Sequence, residues 1–147
     1  MLYVDSSLVV SLVAVEPSTG AAQQWLAEQS GEQLAISDWV VTEVAAALSM
    51  IQRVRGLDDV GRQRAPRNLL DLIDAAFLVL PVSRRPFRAA ADMCGRADLR
   101  LRSGDALHLA VAAEVNARLI TRDVAQARAA EALGLASRLV ASDQDAR

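Results

Sequence analysis

Apolar positions in this chain fall into two periods, and their alternation sets the expected architecture. Leu2-Tyr3-Val4, Leu34-Ala35-Ile36, the run from Phe77 to Val82, Leu119-Ile120-Thr121 and Leu139-Val140 are short and continuous, the pattern of strands in a sheet covered on both sides. Between them the spacing changes to that of helices. Asp5-Ser6-Ser7 can cap a helix from Leu8 to about Val15, stopped by Glu16-Pro17, and Thr19 to Gln29 follows with Trp25 and Leu26 inward, ended by Ser30-Gly31. Ser37 caps a long helix from Asp38 to about Arg55, whose inner face is Val40, Val41, Val44, Ala47, Leu48 and Ile51; Trp39, like Trp25, is assigned to the core. Gly56 to Arg67 predicts a turn and a short helix, with Pro66 starting a further helix to about Ala75. Phe77 to Val82 is expected to be a buried strand ended by Pro81, and Pro86 opens a helix to about Arg96. Ser103 caps a nearly all-apolar helix to about Val115, with Asn116 as a left-handed stop. Ala125 to Leu133 is the last helix, with Gly134 just past its end, and Ser142 to Arg147 is a polar tail.

Short apolar strands alternating with helices imply right-handed crossovers. The expected fold is α/β, a three-layer α/β/α arrangement around a short, mostly parallel open sheet of four to five strands, in a single domain over residues 1–147. At 52% hydrophobic content a chain of this length buries about two-thirds of its unfolded surface. No apolar run approaches the roughly 18 residues of a membrane span, and no basic leader precedes Leu2, so an unprocessed cytoplasmic protein is expected.

Charge changes this picture more than composition does. The net charge is −2, yet all 16 basic residues are arginine, which excludes any chemistry needing a lysine amine. Asp5 and Asp123 each follow a predicted strand, where open parallel sheets bind ligands. Glu43 lies in the early turns of its helix and leans toward the packed side. Asp105 is a charge opening an otherwise apolar helix, a position that the helix dipole alone would justify. One cleft can gather all four, and two carboxylates about 4 Å apart repel by about 4 kcal/mol at an effective dielectric near 20. Such a cluster calls for a cation, and all-oxygen ligation favours Mg²⁺ or Mn²⁺. Removing four negative charges from a net −2 leaves the rest of the chain at +2, a surface suited to a phosphate backbone. Ser6 and Thr121 place hydroxyls beside the cluster as secondary candidates. His108 is assigned to the core as a hydrogen-bonded residue, and the lone Cys94 is expected to be a small core hydrophobe without a role. Absence of lysine excludes a two-component receiver. Asp5-Ser6-Ser7 lacks both the second aspartate of a haloacid-dehalogenase phosphatase and the glycines of a dinucleotide-binding turn.

Taken together, the strand ending in Asp5-Ser6-Ser7, the run Thr42-Glu43-Val44-Ala45, the stretch Ser103-Gly104-Asp105-Ala106-Leu107-His108-Leu109-Ala110, and Thr121-Arg122-Asp123 resemble the PIN-domain nucleases, especially the VapC-type toxins of toxin–antitoxin pairs. The resemblance spans nearly the whole chain, and Gly104 to Ala110 is its most specific part. It implies an Mg²⁺-dependent endoribonuclease acting on RNA, with Asp5 and Asp105 as principal ligands, Glu43 as a ligand through water or at a second site, and Asp123 as a ligand or water-orienting group. It also implies a homodimer and a small VapB-like antitoxin laid over apolar helical surface near Val9, Leu12 and Leu48. The alternatives are a PIN-like binding scaffold without catalysis and a solitary nuclease without an antitoxin. One departure concerns Val124 to Ala127, which lack the basic or aromatic residues often found after the last acid in the family.

Overall fold

Five strands, all parallel, form one sheet in the order β3-β2-β1-β4-β5. The computed structural model describes residues 1–14, 19–55 and 59–140. In chain order the elements are β1 (Leu2–Val4), α1 (Ser6–Val13), α2 (Thr19–Ala27), β2 (Leu34–Ser37), α3 (Asp38–Arg55), α4 (Asp59–Ala76), β3 (Leu78–Leu80), α5 (Arg84–Gly95), α6 (Ser103–Glu114), β4 (Arg118–Thr121), α7 (Val124–Ala132) and β5 (Ser137–Leu139). The chain steps from β1 outward to β3, then crosses back to β4 and β5. With right-handed crossovers, α1 to α4 cover one face and α5 to α7 the other. Strand order therefore reverses at β1, and the ends of β1 and β4 lie side by side, with Val4 opposite Ile120.

The core is the sheet's two faces plus one helix. Tyr3, Val4, Ile36, Leu119 and Ile120 fill the central strands, and α6 is buried continuously from Ala106 to Ala112. A helix apolar all round has no solvent face to give up. Each of its Leu and Val side chains contributes about 1.5–3 kcal/mol on burial. Its end is fixed by Asn116 at φ 50°, with the N–H groups of Asn116 and Ala117 reaching Ala113 and Ala112; Gly134 at φ 69° ends α7 in the same way.

Several expectations are corrected. β3 is an edge strand with Leu78 46% exposed, because the chain turns back beyond it and, among the described residues, nothing pairs on its outer side. Pro66 lies inside α4 and does not start it: the helix begins at Asp59 and accepts the missing hydrogen bond to the carbonyl four residues back. Helix α5 begins at Arg84 behind a Ser83 cap, leaving Pro86 in its first turn. Ser103 is the first residue of α6 and not its cap, which is Arg102. Cys94 is exposed, since Met93 takes the inward position one turn after Ala90. Val9 is buried and Leu12 partly so, and Leu48, itself buried, lines an apolar groove of about 300 Å³ between α3 and α4 together with Val41, Ala45, Leu69 and Leu70. The expected stop at Glu16-Pro17, the turn at 56–58 and the polar tail lie outside the described residues. Among the described residues no helix is long and apolar enough to cross a membrane.

Candidate active site

Asp5 is the residue immediately after β1, and its position follows from the sheet. Its N–H continues the ladder to the Ile120 carbonyl at 3.0 Å, which commits the side chain to the cleft between β1 and β4. The carboxylate is 3% exposed. It caps α1 by accepting from the Leu8 N–H at 3.3 Å, and it also accepts from Ser7 Oγ at 2.7 Å and Thr121 Oγ1 at 2.8 Å. Both hydroxyls are themselves oriented by the neighbouring turn: Thr121 Oγ1 accepts from the Asp123 N–H at 2.9 Å, and Ser7 Oγ accepts from the Arg122 N–H at 3.0 Å. The Arg122 guanidinium donates to Ser11 Oγ, tying the loop after β4 to α1. Burial pushes the Asp5 carboxyl above its ordinary range, against the lowering effect of His108 and of these hydrogen bonds.

Asp123 caps α7, accepting from the Gln126 N–H at 2.9 Å. Gln126 in turn donates to the Asp105 carbonyl at 3.4 Å, joining the starts of α6 and α7. The Asp105 side chain reaches back to the Arg102 N–H at a long 3.4 Å, so its helix-starting role is real but weak. Burial raises the Asp105 carboxyl, and the charge of Asp123, then that of Glu43, raises it further. The starts of α6 and α7 and the early turns of α3 thus bring Asp123 and Glu43 within electrostatic reach of Asp105.

Glu43 sits in the second turn of α3 and faces inward, as the helical spacing predicts. Burial alone would raise its carboxyl, but hydrogen bonding to His108 and the imidazole's charge outweigh burial and hold it below the ordinary range. Ser6 and Trp39 add to this lowering. Glu43 Oε2 lies 2.6 Å from His108 Nε2. Its other oxygen lies against Gly104, where a built Cβ would stand 2.5 Å from Glu43 Oε1 and 3.6 Å from Trp39 Nε1. The space that a side chain at position 104 would need is therefore filled by the carboxylate itself. Trp39, assigned to the core from sequence, is partly buried at this wall, with its indole nitrogen beside Glu43 in the same space next to Gly104.

The donor set suits a hydrated divalent cation. It is all carboxylate oxygen, and burial disfavours the charge on two of its members. Among the described residues, no arginine forms an ion pair with any of the four acids. No group of three acidic, histidine or cysteine side chains among those residues closes into a ready cage. Mg²⁺ keeps several waters and commonly takes only one or two protein carboxylates, so it does not need such a cage.

Sequence reasoning passed over Ser7, Tyr3 and Ser37. In the sequence Ser7 reads only as part of a cap, although its position two residues after Asp5 is where a hydroxyl can turn back to the carboxylate. Tyr3 carried a signal too, since two residues before Asp5 it shares that residue's side of the strand.

Comparison with known proteins shows the family and the fold. Residues 2–132 match the family described as PIN domain. Over 119 residues, 81% of this chain and 79% of the relative, the sequence is 32% identical to Ribonuclease VapC47 of Mycobacterium tuberculosis. In fold it is similar to VapC20 of Mycobacterium tuberculosis, described as a Sarcin-Ricin loop cleaving toxin (TM-score 0.70, 18% identity, covering 88% of this chain and 95% of that one). It is also similar to VapBC2 from Rickettsia felis bound to a promoter DNA fragment (TM-score 0.68, 16% identity, 95% and 98% covered).

Proposed function

The chain belongs to the PIN domain family, and on that premise we propose that it is a divalent-metal-dependent endoribonuclease, the toxin of a toxin–antitoxin pair. The observation that carries this reading is the buried Asp5 at the carboxyl end of the central strand, bonded through Thr121 to the turn that carries Asp123, together with the mutual influence of Asp105 with Asp123 and Glu43. Asp5 and Asp105 would hold Mg²⁺ or Mn²⁺ most directly, with Glu43 and Asp123 acting through water or at a second position. Once bound, the ion supplies charge neutralisation at the phosphate and a more acidic water. Every other element of the chemistry falls to the protein. Ser7 and Thr121 hold both Asp5 oxygens in fixed directions, so that the carboxylate does not rotate toward solvent. Asp123, fixed as a helix cap, keeps one oxygen on the Gln126 N–H, leaving the other to orient water.

A small VapB-like antitoxin is the proposed partner, consistent with the likeness to the VapBC2 assembly, and the apolar groove between α3 and α4 is the proposed contact. A homodimer and an intracellular site of action complete the reading. It is tested by incubating the purified chain with RNA in Mg²⁺, in Mn²⁺ and in excess EDTA. Cleavage with either ion that stops with chelator supports it. RNA binding without cleavage under all three conditions would make the chain a binding scaffold.

A further inference from the structure

The only histidine and the only tyrosine of the chain are buried against each other in the centre of the molecule. Tyr3, on β1, and Ser37, at the end of β2, are fully buried, and His108, on α6, is 2% exposed. Ser37 Oγ lies 2.8 Å from Tyr3 Oη, Tyr3 Oη lies 3.0 Å from His108 Nδ1, and His108 Nε2 lies 2.6 Å from Glu43 Oε2. Four elements contribute one group each to a single line that begins inside the sheet and ends at the acidic cleft. Polar groups in an apolar core are costly unless each is satisfied, and here each is. The surrounding positions of α6 are Ala, Leu and Val, so packing alone would have been served by another aliphatic residue at 108.

The direction of the line follows from its last member. An ionised carboxylate only accepts, so His108 Nε2 carries a hydrogen and donates to Glu43. In the Nε2–H tautomer, Nδ1 accepts from the Tyr3 hydroxyl and Ser37 donates to Tyr3. Burial pushes the Tyr3 hydroxyl well above its ordinary range, so it keeps the proton that it donates. Holding the ring this way also fixes Glu43: Oε2 is committed to His108, and Oε1 is the oxygen left against Gly104 and the start of α6.

We propose that His108 is a positioning residue for Glu43, locked in its Nε2–H tautomer by Tyr3 and Ser37, so that Glu43 presents a single oxygen to the site. This rests on the nuclease reading above. Groups that orient metal-binding side chains from behind are worth about 10–100-fold in metal affinity or activity.

The test uses the full chain, the variants Tyr3→Phe, His108→Phe and His108→Gln, and Asp105→Asn as a control. With a single histidine, ring-nitrogen NMR spectra of the metal-free protein need no assignment. The parent is expected to show a hydrogen on Nε2 and a hydrogen-bonded Nδ1, and Tyr3→Phe, which removes one oxygen and no carbon, to shift the Nδ1 resonance. In the same variant, Mn²⁺ affinity measured by calorimetry falls about tenfold or more, and kcat for RNA falls with KM unchanged. His108→Phe is worse, and His108→Gln recovers part of the loss because its amide N–H can donate to Glu43. A parent ring with its hydrogen on Nδ1 would overturn the proposal, as would a Tyr3→Phe protein that melts cooperatively and keeps parental Mn²⁺ affinity and kcat. If Asp105→Asn abolishes cleavage while the Tyr3 and His108 variants match the parent, the positioning role alone fails. If Asp105→Asn also leaves cleavage and Mn²⁺ binding intact, the nuclease reading fails with it.

Discussion

Replacing Gly104 by alanine separates the site from the fold more cleanly than removing an acid does. In the first turn of α6 an alanine is at least as good a helix former as glycine, a gain of up to about 1 kcal/mol. Its Cβ, however, would stand 2.5 Å from Glu43 Oε1, and ordinary contact begins at 3.4 Å, so the carboxylate must retreat by about 0.9 Å. That oxygen is the far end of a flexible side chain, so the backbone need not move. Retreat strains the 2.6 Å bond from His108, an interaction with a charged group worth about 1.5–3 kcal/mol. Set against the helix gain, the net loss of stability lies between about zero and 2 kcal/mol, less than about 8 °C in Tm for a chain of this size. A shift near 1 Å in a group that orients the reacting atoms costs about a hundredfold in rate. The expected result is therefore a folded protein, nearly as stable as the parent by thermal melt, whose kcat for RNA cleavage in Mn²⁺ has dropped by about two orders of magnitude. Gly20→Ala, in α2 with nothing within 4 Å of the new Cβ, is the matched control and should leave cleavage unchanged. Parental cleavage by Gly104→Ala would refute the reasoning, since it would mean that the position of Glu43 is immaterial.

Asp105→Asn should abolish cleavage while leaving the metal-free fold intact. Burial, then Asp123, raises the Asp105 carboxyl above about 3.8 in the folded state, so the stability it contributes is present below that value and lost as pH rises through its folded pKa. In chelator, the Tm of the parent relative to Asp105→Asn should accordingly fall as pH rises through the carboxylate range, and a parent that gains on the mutant instead would show Asp105 to be a structural cap. Thr121→Val removes a buried hydroxyl that serves both Asp5 and the Asp123 N–H, leaving the buried Asp5 Oδ2 without its donor at about 1–3 kcal/mol; an unchanged Tm would show that Asp5 does not depend on it. Phe87→Ser, at a 52% exposed position on α5, should cost well under 1 kcal/mol and leave cleavage untouched, measured by the same melt and RNA assay.

The strand–helix alternation was legible because buried parallel strands are continuous apolar runs while helices repeat every three or four residues; α3 occupies the span its periodicity predicts, and Asn116 and Gly134 end their helices with positive φ. The strand-end positions of Asp5 and Asp123 and the inward lean of Glu43 follow from the same local rules. Local rules also set the limits. Whether an apolar run such as Leu78 to Leu80 lies at the centre or the edge of the sheet depends on which strands pair, a matter of crossovers many residues long. The cap of α6 moved from Ser103 to Arg102 because the approach of the loop, with Arg100 at φ 50°, decides where helical geometry begins. Above all, the line from Ser37 through Tyr3 and His108 to Glu43 joins residues 34, 105 and 65 positions apart. No spacing in the sequence encodes it. Sequence alone determined that Asp5, Asp105 and Asp123 stand at element ends and Glu43 in the early turns of α3, because local capping and periodicity set those places. Only tertiary packing decided which oxygen each one offers, because hydrogen-bond partners distant in sequence meet only when strands pair and α6 closes over the sheet.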